Sequence, residues 1–126
     1  SLPVVVSMTY DSGPDKTATM MGVTPQQAGE QLTAAGADII GCNCGAGIDN
    51  YIVVVRLLRA ATDKPLWAKP NAGLPELHGE TIVYKESPVE FAAKVPRLLE
   101  AGASVVGGCC GTSPDFIRAV RRVVAG

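Results

Sequence analysis

Apolar residues along this chain follow two alternating rhythms. Short runs rich in Val, Ile and Leu occupy 3–8 (PVVVSM), 38–43 (DIIGCN), 65–69 (PLWAK) and 104–108 (SVVGG). They show little polar alternation, as parallel strands buried on both faces do. Between them apolar positions recur at helical spacing, as at Ile52, Val55 and Leu58. Helix starts are legible. Thr24-Pro25 with Gln27, and Ser87-Pro88 with Glu90, each combine an N-cap, a proline at the first helical position and a capping-box partner. Ser113-Pro114 opens a further helix by the same logic, and Asp49 is the candidate cap of the helix through 52–58. Gly36 and Gly102 stand where C-caps are expected. Pro96, inside the 87–101 helix, predicts a kink. The stretch 71–86 reads as a long loop in which His78, the single histidine, is exposed.

The resulting order is β-α-β-α-β-α-β-α, and it contains a repeat. AGADIIGCNCG at 35–45 matches AGASVVGGCCG at 101–111, and the offset that carries Gly36 onto Gly102 carries Cys44 onto Cys110. Repeated βα units form a barrel or a doubly wound sheet, with chemistry at the C-terminal ends of the strands. Both cysteine clusters lie at such ends. Four units make half of a (β/α)8 barrel, which needs about 250 residues. Left as an open sheet, they would expose apolar edge strands.

Composition narrows the class. A chain of 126 residues, 47% hydrophobic and 18% charged, suits one globular domain. Eleven basic against 12 acidic residues give a net charge of −1, without the basic footprint of a nucleic-acid binder. No apolar run approaches the roughly 20 residues of a membrane span. The start, SLPVVVSMTYD, has neither a signal-peptide n-region nor an initiating methionine, so the expectation is a cytoplasmic segment of something longer. No phosphate-cradling or dinucleotide-binding glycine motif opens any helix.

The chemistry is carried by cysteine, at positions 42, 44, 109 and 110. An intracellular cysteine cluster more often binds metal or catalyses than forms disulfides. Suppose the strands at 38–43 and 104–108 flank 65–69 in one sheet. Cys44, Cys109 and Cys110 then converge near KPNAG, a soft set suited to Zn²⁺ with one coordination position open. Glycines at 107, 108 and 111 would let both neighbouring cysteines face one ion. Buried thiols and a vicinal Cys109–Cys110 disulfide are the alternatives. Cys42, one layer deeper in its strand, reads as a packed hydrophobe. Asn71 has two readings: an amide oxygen that reaches the metal, or a former of the KPNAG turn. Asn43 is expected to hold the cysteine loop through hydrogen bonds. Lys69 reads as a solvated or ion-paired lysine, Asp11 and Asp15 as turn residues, and Met20-Met21 as core or lid packing.

GCNCG, KPNAGLPE and GASVVGGCCGTSPDFIRAV, with MTYDSGPDKTATMMGVTP before them, resemble the homocysteine S-methyltransferase family over the whole chain. The likeness is strongest to the homocysteine-binding domain of its cobalamin-dependent methionine synthase branch. The resemblance implies that residues 1–126 are the C-terminal half, strands 5 to 8, of a (β/α)8 TIM barrel. It implies Cys44, Cys109 and Cys110 as zinc ligands and catalytic residues, with Asn71 as a further candidate ligand and Asn43 and Asn71 as candidate substrate contacts. The implied reaction is methyl transfer to the thiol of homocysteine, giving methionine. Methylcobalamin, held outside this segment, would be the donor, and cobalamin and folate domains would be partners. The N-terminal half-barrel, or a partner chain in its place, would complete the pocket. The alternative implication is a zinc-binding half-barrel inactive without that complement.

Overall fold

The computed structural model describes residues 1–126. Strands β1 (Val5–Met8), β2 (Ile39–Cys44), β3 (Leu66–Pro70) and β6 (Val105–Val106) form one parallel sheet in the order β1-β2-β3-β6. Helices α1 (Pro25–Ala34), α2 (Ile48–Ala61), α3 (Pro88–Ala101) and α4 (Pro114–Ala125) alternate with them. A separate antiparallel hairpin, β4 (Pro75–His78) and β5 (Thr81–Tyr84), is inserted between β3 and α3. Both capping boxes form: Thr24 accepts from Gln27 N–H and Ser87 from Glu90 N–H, and each glutamine or glutamate side chain bonds back to the cap's own N–H.

Register decides which residues face the helices. Ile40 pairs with Leu66 and Cys42 with Ala68, and all four are buried in the core with Tyr51, Val55, Leu58, Phe91, Val95 and Leu98. The other face carries Val5, Ile39, Gly41, Asn43, Trp67, Lys69 and Val105, related by the same pairing. No helix covers it, and Val5 and Val105 are each 39% exposed.

Several local expectations are corrected. Gly47, not Asp49, is the N-cap of α2, because positive φ at Gly45 and Gly47 turns the chain into the helix two residues earlier. The Asp49 carboxylate instead accepts from Lys94 at 2.8 Å, and Lys94 also pairs with Glu86 at 2.6 Å. The 71–86 stretch is largely a hairpin rather than a loop, closed by Gly79-Glu80 with Gly79 at φ +66°. Glycine at the first of two central positions is what a type II′ turn demands. Helix α3 does run through Pro96 to Ala101, as the sequence predicts. Lys69 is neither ion-paired nor simply solvated: its Nζ lies 4.9 Å from the Trp67 ring centroid, a cation–π contact. Met20 and Met21 are 85% and 87% exposed, so they belong to no core. No helix is long and apolar enough to cross a membrane.

Candidate metal centre

Strand β2 ends at Cys44, and the chain after β6 continues to bond β3, through Gly107 N–H to Ala68 O and Cys109 N–H to Pro70 O. The two cysteine clusters therefore arrive on either side of the end of β3. Cys44, Cys109 and Cys110 place their sulfurs within 4.8 Å of one another, and Cys44 Sγ lies 3.0 Å from Cys109 Sγ. All three are free thiols.

Adjacent residues face one point because their backbone is bonded atom by atom. Cys109 N–H donates to Pro70 O, and Cys109 O accepts from the Thr112 amide and hydroxyl. Cys110 N–H donates to Asn71 Oδ1 at 2.9 Å, and Cys110 O accepts from Ala72 N–H. The glycines divide their work differently from the sequence expectation. Only Gly111, at φ +81°, is left-handed; Gly107 and Gly108 are not. Gly108 is needed for space instead, since a β-carbon there would meet Thr112 Oγ1 at 2.6 Å.

Cys44 adopts φ +62°, one of two non-glycine residues with positive φ. Such backbone costs of order 1–3 kcal/mol and persists where surrounding structure imposes it. Here the constraint is visible on both sides. Asn71 N–H bonds Cys44 O, and Asn43 is clamped by Ser7 Oγ donating to Oδ1 at 2.6 Å, by Thr9 Oγ1 at 3.2 Å and by Tyr51 Oη donating to its carbonyl at 2.5 Å. Asn43 Nδ2 also points at Cys44 Sγ, 3.5 Å away.

Burial alone would raise the Cys44 thiol, but hydrogen bonds from Cys109, Asn43, Cys110 and Thr9 outweigh it and hold the thiol below its ordinary value. Cys109 moves the other way, to about 11, through burial and then the Cys44 sulfur beside it. Cys42 sits fully buried among apolar side chains, pushed up to about 12 by desolvation, and takes no part in the cluster. His78 is exposed on the hairpin and also stands outside the cluster.

Asn71 is buried, its Nδ2 donating to Gly45 O at 3.0 Å and its Oδ1 accepting from Cys110 N–H. One amide thus ties the loop after β2 to the loop after β6. Beside Cys44 opens a cavity of about 340 Å³ whose lining includes Asp11, Lys16, Asn71 and Leu74.

The homocysteine S-methyltransferase family model matches residues 1–124. The chain belongs to that family. Its relatives in the family include the methionine synthases of Mycobacterium leprae and Mycobacterium tuberculosis, 38% and 37% identical over 98% of this chain. The chain spans only 10% of the length of either relative. The fold is also similar to part of the homocysteine methyltransferase MmuM from Escherichia coli. Its metallated form matches with a TM-score of 0.71 at 23% identity, over 95% of this chain and 35% of that one. Its apo form gives 0.67, also at 23% identity, over 91% and 39%.

Within this homocysteine S-methyltransferase chain, sequence reasoning missed Ser7, Thr9 and Tyr51, which brace Asn43, and Tyr84, which lies against Gly111. The first three carried no motif; Ser7 and Thr9 matter because parallel pairing brings β1 beside β2, and Tyr51 because α2 packs back on the end of β2. Tyr84 had one available signal, the Gly79-Glu80 turn between two short runs.

Proposed function

We propose that the chain is the C-terminal half, strands 5 to 8, of a homocysteine-binding (β/α)8 barrel. In this reading Cys44, Cys109 and Cys110 hold Zn²⁺ for methyl transfer to the homocysteine thiol, giving methionine. The observation that carries it is the convergence of three free thiols at the C-terminal ends of two parallel strands that flank a third, in a member of this family. The donor set fits the ion. Zinc–sulfur bonds of about 2.3 Å in a tetrahedron put sulfurs about 3.8 Å apart, and the observed spacings run from 3.0 Å to at most 4.8 Å.

Three protein thiolates leave one position for a substrate sulfur. When bound, the metal would keep that sulfur deprotonated at neutral pH, worth roughly 2 kcal/mol for a thiol of ordinary pKa about 8.5. The chain's own residues do the rest by positioning. Asn43 and Thr9 orient Cys44, and Asn71 ties the two cysteine-bearing loops together. In the transfer, the homocysteine sulfur, its proton already lost, would form the new S–CH3 bond as the bond between methyl and donor breaks, and the electron pair of that bond would leave with the donor. The proposed donor is methylcobalamin, on a cobalamin domain outside this segment and recharged from a methylfolate.

A second reading has its own support. The uncovered sheet face, with Val5 and Val105 each 39% exposed, suits a half-barrel that holds zinc yet needs a complementary half for activity. Protein purified under reducing conditions should contain about one zinc per chain; absence of zinc, with all thiols titrating freely, overturns both readings. Methionine formation from homocysteine and methylcobalamin should require the N-terminal half-barrel. Turnover by this chain alone would leave the first reading and remove the second.

A further inference from the structure

Tyr51 of α2 holds the backbone on both sides of Cys44. Its hydroxyl donates to Asn43 O at 2.5 Å, the carbonyl of the peptide that joins residue 43 to Cys44. The same hydroxyl accepts from Tyr10 N–H at 3.1 Å, in the segment that follows β1. Its ring lies against the next residue, Gly45, where a β-carbon would meet Tyr51 Oη at 2.6 Å; Gly45 itself stands at φ +74°. Tyr51 is fully buried, and its own N–H bonds Gly47 O in the first turn of α2. The side chain therefore acts as a fixed post.

Cys44 lies between the two points that this post holds. Its left-handed backbone, at φ +62°, is uncommon for a residue with a side chain and costs free energy. That φ is the rotation about the bond following the Asn43–Cys44 peptide, so anchoring Asn43 O fixes one end of the rotation. Packing of Gly45 on the ring limits where the chain goes next. A return of Cys44 to negative φ would swing its sulfur away from Cys109 Sγ, now 3.0 Å distant. The side-chain bonds of Asn43 to Ser7 and Thr9 hold its amide, not this peptide plane. We propose that Tyr51 is a positioning residue of the metal centre, keeping Cys44 in the strained backbone that aims its sulfur at those of Cys109 and Cys110. The proposal rests on the metal-centre reading above. Groups that orient metal ligands typically change metal affinity 10–100-fold when removed.

Cobalt(II) titration of the full chain tests it. Tyr51→Phe keeps the ring against Gly45 and removes only the hydroxyl. Cobalt(II) and zinc binding should weaken about tenfold, and the sulfur-to-cobalt charge-transfer absorption should fall as Cys44 leaves the ligand set. A Phe variant that is less stable yet keeps the parent's affinity and spectrum overturns the proposal, because the hydroxyl then serves the fold alone. Should the Phe variant fail to fold, hydrogen exchange in the parent decides. The Tyr10 amide should stay protected when a chelator strips the metal, since the fold holds the bridge. Protection that vanishes with the metal overturns the proposal, because the ion would then organise Cys44. A parent chain that binds no cobalt(II) overturns the metal centre and this role with it, whereas a binding parent with an unaltered Phe variant overturns only the role of Tyr51.

Discussion

Asn71 joins two loops that lie far apart in sequence, and both of its partners are backbone groups with no substitute. Asn71→Ala would strand the Gly45 carbonyl and the Cys110 N–H, each costing about 1–3 kcal/mol when buried and unpaired. Urea unfolding should show a loss of that size, with a matching fall in zinc retention; a variant as stable as the parent would refute the bridge. Gly111 is equally exposed to test. A side chain there faces left-handed backbone at φ +81° and the Tyr84 ring at once, so Gly111→Ala should cost about 2–4 kcal/mol. Cys44 shows the reverse arrangement, a non-glycine residue held at φ +62° because its thiol is wanted where its backbone would rather not be.

Among the elements, α3 begins with the more testable cap. Ser87→Ala removes the side chain that accepts Glu90 N–H and should cost about 1 kcal/mol. Glu90 adds a pH dependence. Hydrogen bonds from Ser87, its backbone N–H foremost, hold the Glu90 carboxyl below its ordinary value. A depressed carboxyl stabilises the fold above its unfolded pKa of about 4.3 and loses that contribution as pH falls through the lower folded value. The stability difference between parent and Glu90→Gln, measured by urea unfolding, should therefore be present at pH 7 and shrink below pH 4. A difference independent of pH would sink the assignment. The hairpin behaves as a different kind of element. Its strands are mostly exposed, with Leu77 and Ile82 at 73% and 62%, and its hold on the molecule comes from its base, through Tyr84 and the Glu86–Lys94 pair.

For the whole molecule, the uncovered sheet face sets the main expectation. On the half-barrel reading, β1 and β6 are edges only in isolation, each waiting for a neighbouring strand. Amide hydrogen exchange in Val5–Met8 and Val105–Val106 should be fast in the chain alone and slow once an N-terminal half-barrel is supplied. Unchanged exchange on addition of that half would contradict the reading.

Order and type of the βα units were legible in the sequence because they rest on local physics. Strand runs, helical spacing and the Thr24 and Ser87 caps each act within a few residues. Local reasoning failed where neighbours in space overrule neighbours in sequence. Asp49 lost its cap to a glycine turn, and its carboxylate went to Lys94. The hairpin escaped because its exposed strands lack a buried stripe, leaving only Gly79-Glu80 as a sign. The cysteines themselves sit between these cases. Their positions at strand ends followed from the repeat, and their grouping as ligands from a supposed strand adjacency that the family resemblance also implied. Only the tertiary structure decided how they meet: through strain at Cys44, one buried amide at Asn71, and a tyrosine resting on Gly111. The first two lie where parallel pairing brings segments together and the third comes from the antiparallel hairpin, and no spacing along the chain encodes any of them.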